Sequence, residues 1–225
     1  MLMLVLAAGS FVGIHLFISS SGLRDRIVGA TGEQPYLGLF SLLSIAILGW
    51  LIFAYSRAPT VLLWNTPGWL RGPAIAVMLV AVALVVIGLT TPSPTVTGGT
   101  GALDRDDAVR GILRVTRHPF LCGVALWAAV HLVLNGDAAS LVLFGALLVL
   151  ALIGPPSIDA KRQRAFGARW ERFAATTSIV PFAAIAAGRN QLRLGEIGAW
   201  RMALSLAVYL GLIVFHGRLF GAPVW

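Results

Sequence analysis

The chain alternates between long apolar runs and short polar turns marked by glycine and proline. Six runs approach or reach the roughly 17 to 25 apolar residues that cross a bilayer: 1–19, 36–56, 73–90, 119–134, 138–155 and 198–215. Turn signals separate them, with "TGEQP" before the second run, "NTPGWLRGP" before the third and "TTPSPTVTGGTG" after it. Only "NGD" lies between the fourth and fifth, so those two helices are antiparallel neighbours. No internal repeat stands out and no linker separates two cores. The pattern therefore predicts one all-α domain over residues 1–225, a polytopic membrane helix bundle of about six transmembrane helices, because in lipid each segment must satisfy its own backbone hydrogen bonds.

One further stretch has helical periodicity without the length of a span. In "SIDAKRQRAFGARWERFAATTSIVPF", Phe166, Trp170 and Phe173 fall at i, i+4 and i+7, and Lys161, Arg162, Arg164, Arg169 and Arg172 occupy much of the remaining surface. Ser157 and Asp159 suit the start of such a helix. The expectation is a cytoplasmic amphipathic helix in the headgroup region, its basic side chains facing anionic lipid headgroups.

Composition agrees with a membrane class, since 58% apolar and 12% charged residues leave too little polar surface to cover a water-soluble globule. The net charge of +8 comes from sixteen Arg and one Lys, a balance that by itself would point to nucleic acid. Its placement points elsewhere. The loops 20–35, 91–118 and 156–197 hold thirteen of the seventeen basic residues, while the opposite side holds Arg57, Arg71 and Arg218, with Arg201 just inside the last span. This is the positive-inside asymmetry of a multi-pass protein of a bacterial inner membrane with both termini periplasmic, its partner being the bilayer and not nucleic acid. The first run lacks a basic n-region and a small-x-small cleavage site before "SSSGLRDR", so it reads as a helix and not as a signal peptide. A single cysteine, Cys122, leaves no internal disulfide and no CxxC site. The Gly-rich "TGGTGALD" has neither the GxxxxGK[ST] spacing nor the strand-to-helix context of a phosphate loop.

Candidate chemistry rests on four histidines, His15, His118, His131 and His216, all in or beside apolar runs. Asp and Glu are missing from the interior of every run, which argues against a transporter built on intramembrane carboxylates. No HxxH or HxxxH pair is present, which argues against zinc. Two histidines from different helices, each offering one ring nitrogen in an apolar bundle, meet the needs of a six-coordinate b-type haem. Arginines at the membrane edge can then hold its propionates, and Arg24, Arg114 and Arg117 are placed for that. Depth alone, at about 1.5 Å per residue, pairs His131 with His216 and His15 with His118. Any one of these rings is also at home as a bundle histidine bonded to a backbone carbonyl, and His118, between Arg117 and Pro119, can simply cap its helix.

Several segments in order, "GIHLF", "LFSLLS", "RVTRHPFLCGVALWAAVHLVLNGD", "SIDAKRQRAFGARWERFAATTSIVPFAAI" and a closing "FHG…PVW", resemble the NnrU family over nearly the whole chain. That family includes membrane proteins linked to nitrite and nitric oxide reduction in bacteria, and its relatives include the haem-dependent 15-cis-zeta-carotene isomerases. The resemblance implies haem ligands at His15 and His131, a pair that the depth estimate does not select. The isomerase branch also carries a Cys three residues before the second ligand, where this chain has Ala128. "RHP-x-x-x-G" followed by "FG-x-x-W-x-x-F…P" is more distantly similar to the isoprenylcysteine and phospholipid methyltransferases, which bind S-adenosylmethionine there. Those enzymes have a Glu pair ahead of the FG segment, and this chain offers only Asp159.

The expected function is accordingly a membrane protein binding b-type haem and serving redox or nitric-oxide-related chemistry alongside denitrification. Three alternatives stay open: a haem-dependent cis-trans isomerase of a carotenoid-like polyene, a methyltransferase using S-adenosylmethionine, and a noncatalytic factor supporting a reductase complex.

Overall fold

The computed structural model describes residues 1–18, 22–96, 99–105, 107–222 and 224. The serine turn 19–21, Thr97 and Gly98 of the Gly-rich stretch, Asp106 and two residues of the closing "PVW" lie outside the described residues. Among the described residues the elements are helices: α1 (Leu2–Gly13), α2 (Gly22–Thr31), α3 (Glu33–Ser56), α4 (Arg71–Thr90), α5 (Pro119–Asn135), α6 (Ala138–Phe166), α7 (Ala168–Thr176), α8 (Ala183–Ala186) and α9 (Ala199–Phe220). A wider π turn, Ile14–Ile18, continues α1.

Among the described residues the six apolar runs form helices, and their lengths differ in a way that matters. The helices Glu33–Ser56, Gly68–Thr90, Ala138–Phe166 and Ala199–Phe220 are each long and apolar enough to cross a bilayer. The first helix reaches that length only together with α2, from which it is bent by 75°. α5 is apolar but has 17 residues, about 25 Å.

Local chemistry sets the boundaries of α5 and α6. Pro119 occupies the first turn of α5, where its missing N–H is not needed. Gly136 ends the helix at φ 66°, a left-handed conformation that glycine adopts without steric cost, and Asp137 then caps α6 by accepting the Ser140 N–H at 2.9 Å. The expected stop at Pro155 and fresh start near Ser157 and Asp159 do not occur. α6 runs straight through Pro155 and Pro156, because two prolines forfeit only their own N–H groups and the "AKRQR" that follows favours helix. The break comes at Gly167, φ 48°, after which α7 begins.

The long helices pack as a row in the order α3, α1, α6, α5, α4, α9, each touching its neighbours in that sequence. The end members α3 and α9 therefore leave most of their apolar surface outward, as lipid-facing helices do. Packing of α4 on α5 is close because Gly88 and Gly123 present no side chain to the facing backbone. Two cores result. One, around Leu4, Phe11, Leu51, Ala128 and Phe144, joins α1, α3, α5 and α6. The other lies at the arginine-rich end, where Trp170 and Phe173 of α7 are buried with Leu84 and Ile87 of α4 and with Leu113. The expected amphipathic helix is thus divided: Phe166, Lys161, Arg162 and Arg164 end α6, while Trp170, Phe173, Arg169 and Arg172 lie on α7, whose apolar face covers the end of the bundle instead of meeting acyl chains.

At the opposite end the 57–67 loop is tied to the α5–α6 turn. Leu63 and Trp64 donate their N–H groups to the Gly136 carbonyl at 2.8 and 3.1 Å, and the Trp64 indole and the Thr66 hydroxyl both donate to the Val133 carbonyl.

Candidate functional site

His131 lies one turn from the end of α5, packed against Trp127 and, with ring centroids 4.7 Å apart, against Phe144 of α6. Its third ring neighbour is His216 of α9, with centroids 6.4 Å apart and ring planes inclined by 30°. Nδ1 of His131 is 2.8 Å from the Trp127 carbonyl, and Nδ1 of His216 is 2.6 Å from the Ala222 carbonyl. A carbonyl only accepts, so each Nδ1 carries a proton and Nε2 is the ring nitrogen that faces any further partner. This orientation, with one nitrogen anchored to a carbonyl and the other left to bind, is the usual one for a metal-ligating histidine.

The two ring centroids are 6.4 Å apart, so His131 and His216 are the two side chains that would hold a metal placed between them. Among the described residues no three His, Cys, Asp or Glu side chains converge on one point. A metal held here would take its other ligands from a macrocycle, as iron does in haem.

His15 has different surroundings. It sits in the π turn after α1, a backbone form that often marks functional sites. Its ring meets Phe11 and Phe40, Nδ1 donates to the Phe11 carbonyl at 2.7 Å, and Nε2 is 3.2 Å from the Ser44 hydroxyl. Ser44 precedes Tyr55 by eleven residues on α3, and Tyr55 packs on Phe144 beside His131. At 1.5 Å per residue this separates the His15 and His131 levels by about 16 Å. The structure brings His131 to His216, and it does not bring His15 to either.

The three arginines considered for propionates already hold carboxylates of the chain. Arg24 meets Asp25 and Glu33 and lies over the Tyr36 ring. Arg114 grips Glu196 from Nε at 2.7 Å and Nη2 at 3.0 Å and reaches Asn190 with Nη1. Held chiefly by Arg114, Glu196 is pulled from its ordinary 4.5 to about 2. Arg117 donates to Asp159 at 2.8 Å, with Thr177 and the Ala174 carbonyl as further partners.

His118 stands at the N-cap of α5, as expected, but its side chain makes no cap hydrogen bond. It is buried, and its Nε2 lies 2.7 Å from the second oxygen of Asp159. One carboxylate on α6 therefore receives both residues of the "RH" pair. The same segment is sewn to "TSIVPF": the Arg117 N–H donates to the Ser178 carbonyl at 2.9 Å, the Thr116 hydroxyl to Ile179 at 2.8 Å, and the Phe182 N–H to Val115 at 2.8 Å. That last bond holds Phe182 at φ 66°, a left-handed conformation costing a bulky residue roughly 1–2 kcal/mol. Three separated motifs thus meet in one polar junction. Sequence reading missed Asp159 as its centre because a carboxylate after two prolines reads as a helix start, and it gave Glu196 no role.

Comparison with known proteins bears on both regions. The chain is 27% identical over 187 residues to "15-cis-zeta-carotene isomerase, chloroplastic" of Zea mays, covering 81% of this chain and 50% of that protein. The protein of the same name from Arabidopsis thaliana is 28% identical over 197 residues, covering 85% of this chain and 52% of its own length. The chain thus spans about half the length of the curated relatives it matches. No solved structure matches. Residues 3–224, which include the histidine pair and the polar junction, match the family described as "NnrU protein", and the chain belongs to that family.

Proposed function

We propose that this protein is an integral membrane isomerase that converts a cis double bond of a lipid-soluble polyene to trans, with a b-type haem held beside the α5–α6 turn. The observation that carries the reading is the match to 15-cis-zeta-carotene isomerases across four fifths of the chain. The reaction moves no atom between molecules and leaves the electron count unchanged, so it needs a site that lowers the rotational barrier of one bond. When bound, haem supplies a redox-active iron at such a site.

The residues that fit haem are His131 and His216, by their ring separation and their anchored Nδ1 atoms. His15, the partner that the family resemblance implies for His131, has its Nε2 on Ser44 and lies at another depth. Trp127 and Phe144 wall His131 with aromatic faces, which exclude water and suit a polyene. Arg24, Arg114 and Arg117 do not fit the propionates, since each is engaged by a carboxylate at the other end of the bundle. A substrate dissolved in the bilayer reaches the row of helices from the side, past the outward apolar faces of α3 and α9. In a bacterial inner membrane the arginine-rich end is cytoplasmic, which makes both termini and the His131–His216 pair periplasmic in orientation.

Two measurements test this. Expression with haem precursor followed by purification gives a Soret band if haem is bound. Coexpression with a pathway that accumulates 15-cis-zeta-carotene converts the 15-cis pigment to its 15-trans isomer in the chromatogram if the substrate class is right. A haem-loaded protein with an unchanged pigment profile overturns the isomerase reading for that substrate and moves the weight to haem redox chemistry linked with nitrite and nitric oxide reduction. Absence of the Soret band removes the haem.

A further inference from the structure

At the arginine-rich end a cleft of about 520 Å³ opens between the 103–109 loop, α7 and the 188–193 segment. Six arginines line it: Arg105, Arg114, Arg169, Arg172, Arg189 and Arg193. Three carboxylates answer them, Asp107 to Arg105, Asp104 to Arg169, and Glu196 to both Arg114 and Arg193. Asp107 is shared with Arg110 as well. Arg189 is turned to the Ala175 and Thr177 carbonyls at the end of α7, at 2.6 and 3.2 Å, and meets no carboxylate among the described residues. The Arg172 guanidinium has no ion pair among the described residues. Among the described residues the six arginines meet three carboxylates, and Arg172 and Arg189 meet none, which leaves the described lining of the cleft positive.

The walls identify the side from which a ligand comes. Leu103, Val109 and Phe173 stand among the arginines. The segment that closes the cleft turns Val180, Phe182, Leu192 and Leu194 outward, between 46% and 65% exposed. Leu192 and Leu194 alternate with cleft residues Gln191 and Arg193 on the same short stretch. Arginines interleaved with outward apolar side chains, at the end of a membrane bundle, match the boundary where phosphate headgroups lie over acyl chains. A cleft for a soluble anion has no use for that apolar rim.

We propose that this cleft binds the phosphate of an anionic phospholipid from the adjoining leaflet, with Arg172, which meets no carboxylate among the described residues, among its ligands. Guanidinium and phosphate pair through two parallel hydrogen bonds, which lets Arg172 and its neighbours share one headgroup. The site is remote from His131 and stands whatever chemistry occurs there.

The test uses the full chain purified in neutral detergent, titrated with dioctanoyl-phosphatidylglycerol and followed by native mass spectrometry and thermal unfolding. Parallel arms use dioctanoyl-phosphatidylcholine, inorganic phosphate and ATP. Saturable binding and a raised unfolding temperature are expected with phosphatidylglycerol alone. Arg172→Gln is expected to weaken binding about fivefold, the loss of one arginine at a lipid surface, while Arg57→Gln at the other end leaves it intact. Arg193→Gln, at a side chain 58% exposed, serves as a second variant if Arg172→Gln fails to fold. Equal binding of phosphatidylcholine, or unchanged affinity in Arg172→Gln and Arg193→Gln, overturns the site. A response to inorganic phosphate or ATP equal to that of the lipid overturns the lipid as its ligand.

Discussion

His131 and His216 lie ring beside ring, centroids 6.4 Å apart, although α5 and α9 each pack mainly on α4 and not on one another. The contact is made near the C-terminal ends of the two helices. A histidine in lipid has a cost in desolvation unless something binds it. Here two such rings share one site, each with its Nε2 left for a further partner.

In haem-loaded protein, His131→Ala is therefore expected to abolish the low-spin absorption and electron paramagnetic resonance signals. His216→Ala is expected to convert the iron to five-coordinate and high-spin. His15→Ala, at a ring bonded to Ser44, is expected to leave the signals in place. The reverse outcome, with His15→Ala changing the spin state and His216→Ala silent, returns the ligand assignment to the pair implied by the family resemblance.

The helices were legible in the sequence because a bilayer leaves few choices: a run such as 36–56 must be helical, and Pro119, Gly136 and Asp137 mark ends that are used as expected. The 155–157 boundary was not legible, since proline in a long helix is as compatible with continuation as with a stop, and tertiary packing of α6 decides. Of the site, the depth count already set His131 level with His216, because it follows from helix rise alone. The junction of Arg117, His118 and Asp159 was hidden. It depends on how α6 extends beyond the bilayer, and no local pattern in 116–118 or 157–164 records that meeting.

Asp159 pairs with the Arg117 guanidinium and also bonds His118, and the side chains of Arg117 and Asp159 are only 12% and 14% exposed, so the junction is sensitive to loss of either charge of the ion pair. Asp159→Asn keeps the shape and removes the charge, leaving the Arg117 guanidinium without an anion in a dry setting. The expected destabilisation is about 3 kcal/mol, measured by thermal or denaturant unfolding in detergent. Arg117→Gln with Asp159→Asn is expected to cost less than the two single changes added, since neither charge is then stranded. Additive losses would show that the two residues act separately.

Close approach of α4 and α5 sets another limit. A Cβ at Gly123 would lie 2.7 Å from the Ala81 carbonyl and from Val85 Cγ2, and one at Gly88 would lie 2.7 Å from the Phe120 nitrogen. Backbone cannot give way there as a side-chain tip can. Gly123→Ala and Gly88→Ala are each expected to destabilise by about 1–3 kcal/mol. Gly145→Ala in α6, with nothing within 4 Å, is expected to be neutral or to stabilise by up to about 1 kcal/mol. Unfolding temperatures of the three variants, compared in one detergent, separate the two cases.

Glu196 gives the arginine-rich end a pH dependence with a definite sign. Its carboxylate accepts from Arg114 and from the Gly111 N–H at 2.9 Å, with Arg193 at 3.6 Å. These contacts hold its pKa near 2, below its ordinary 4.5. A carboxylate whose pKa is depressed on folding contributes stability that is fully present above the unfolded value and is lost as pH falls through the folded one. The loss therefore falls between about pH 5 and pH 2. Asp107, also shifted down by Arg105 and Arg110, titrates in the same acid range, so wild type alone does not isolate Glu196. The difference between wild type and Glu196→Gln does. Its unfolding-temperature gap is expected to be constant above pH 5, to narrow as the medium is acidified and to close towards pH 2. A gap that persists unchanged at low pH would mean that Glu196 contributes through shape and hydrogen bonding, and that its charge beside Arg114 adds nothing.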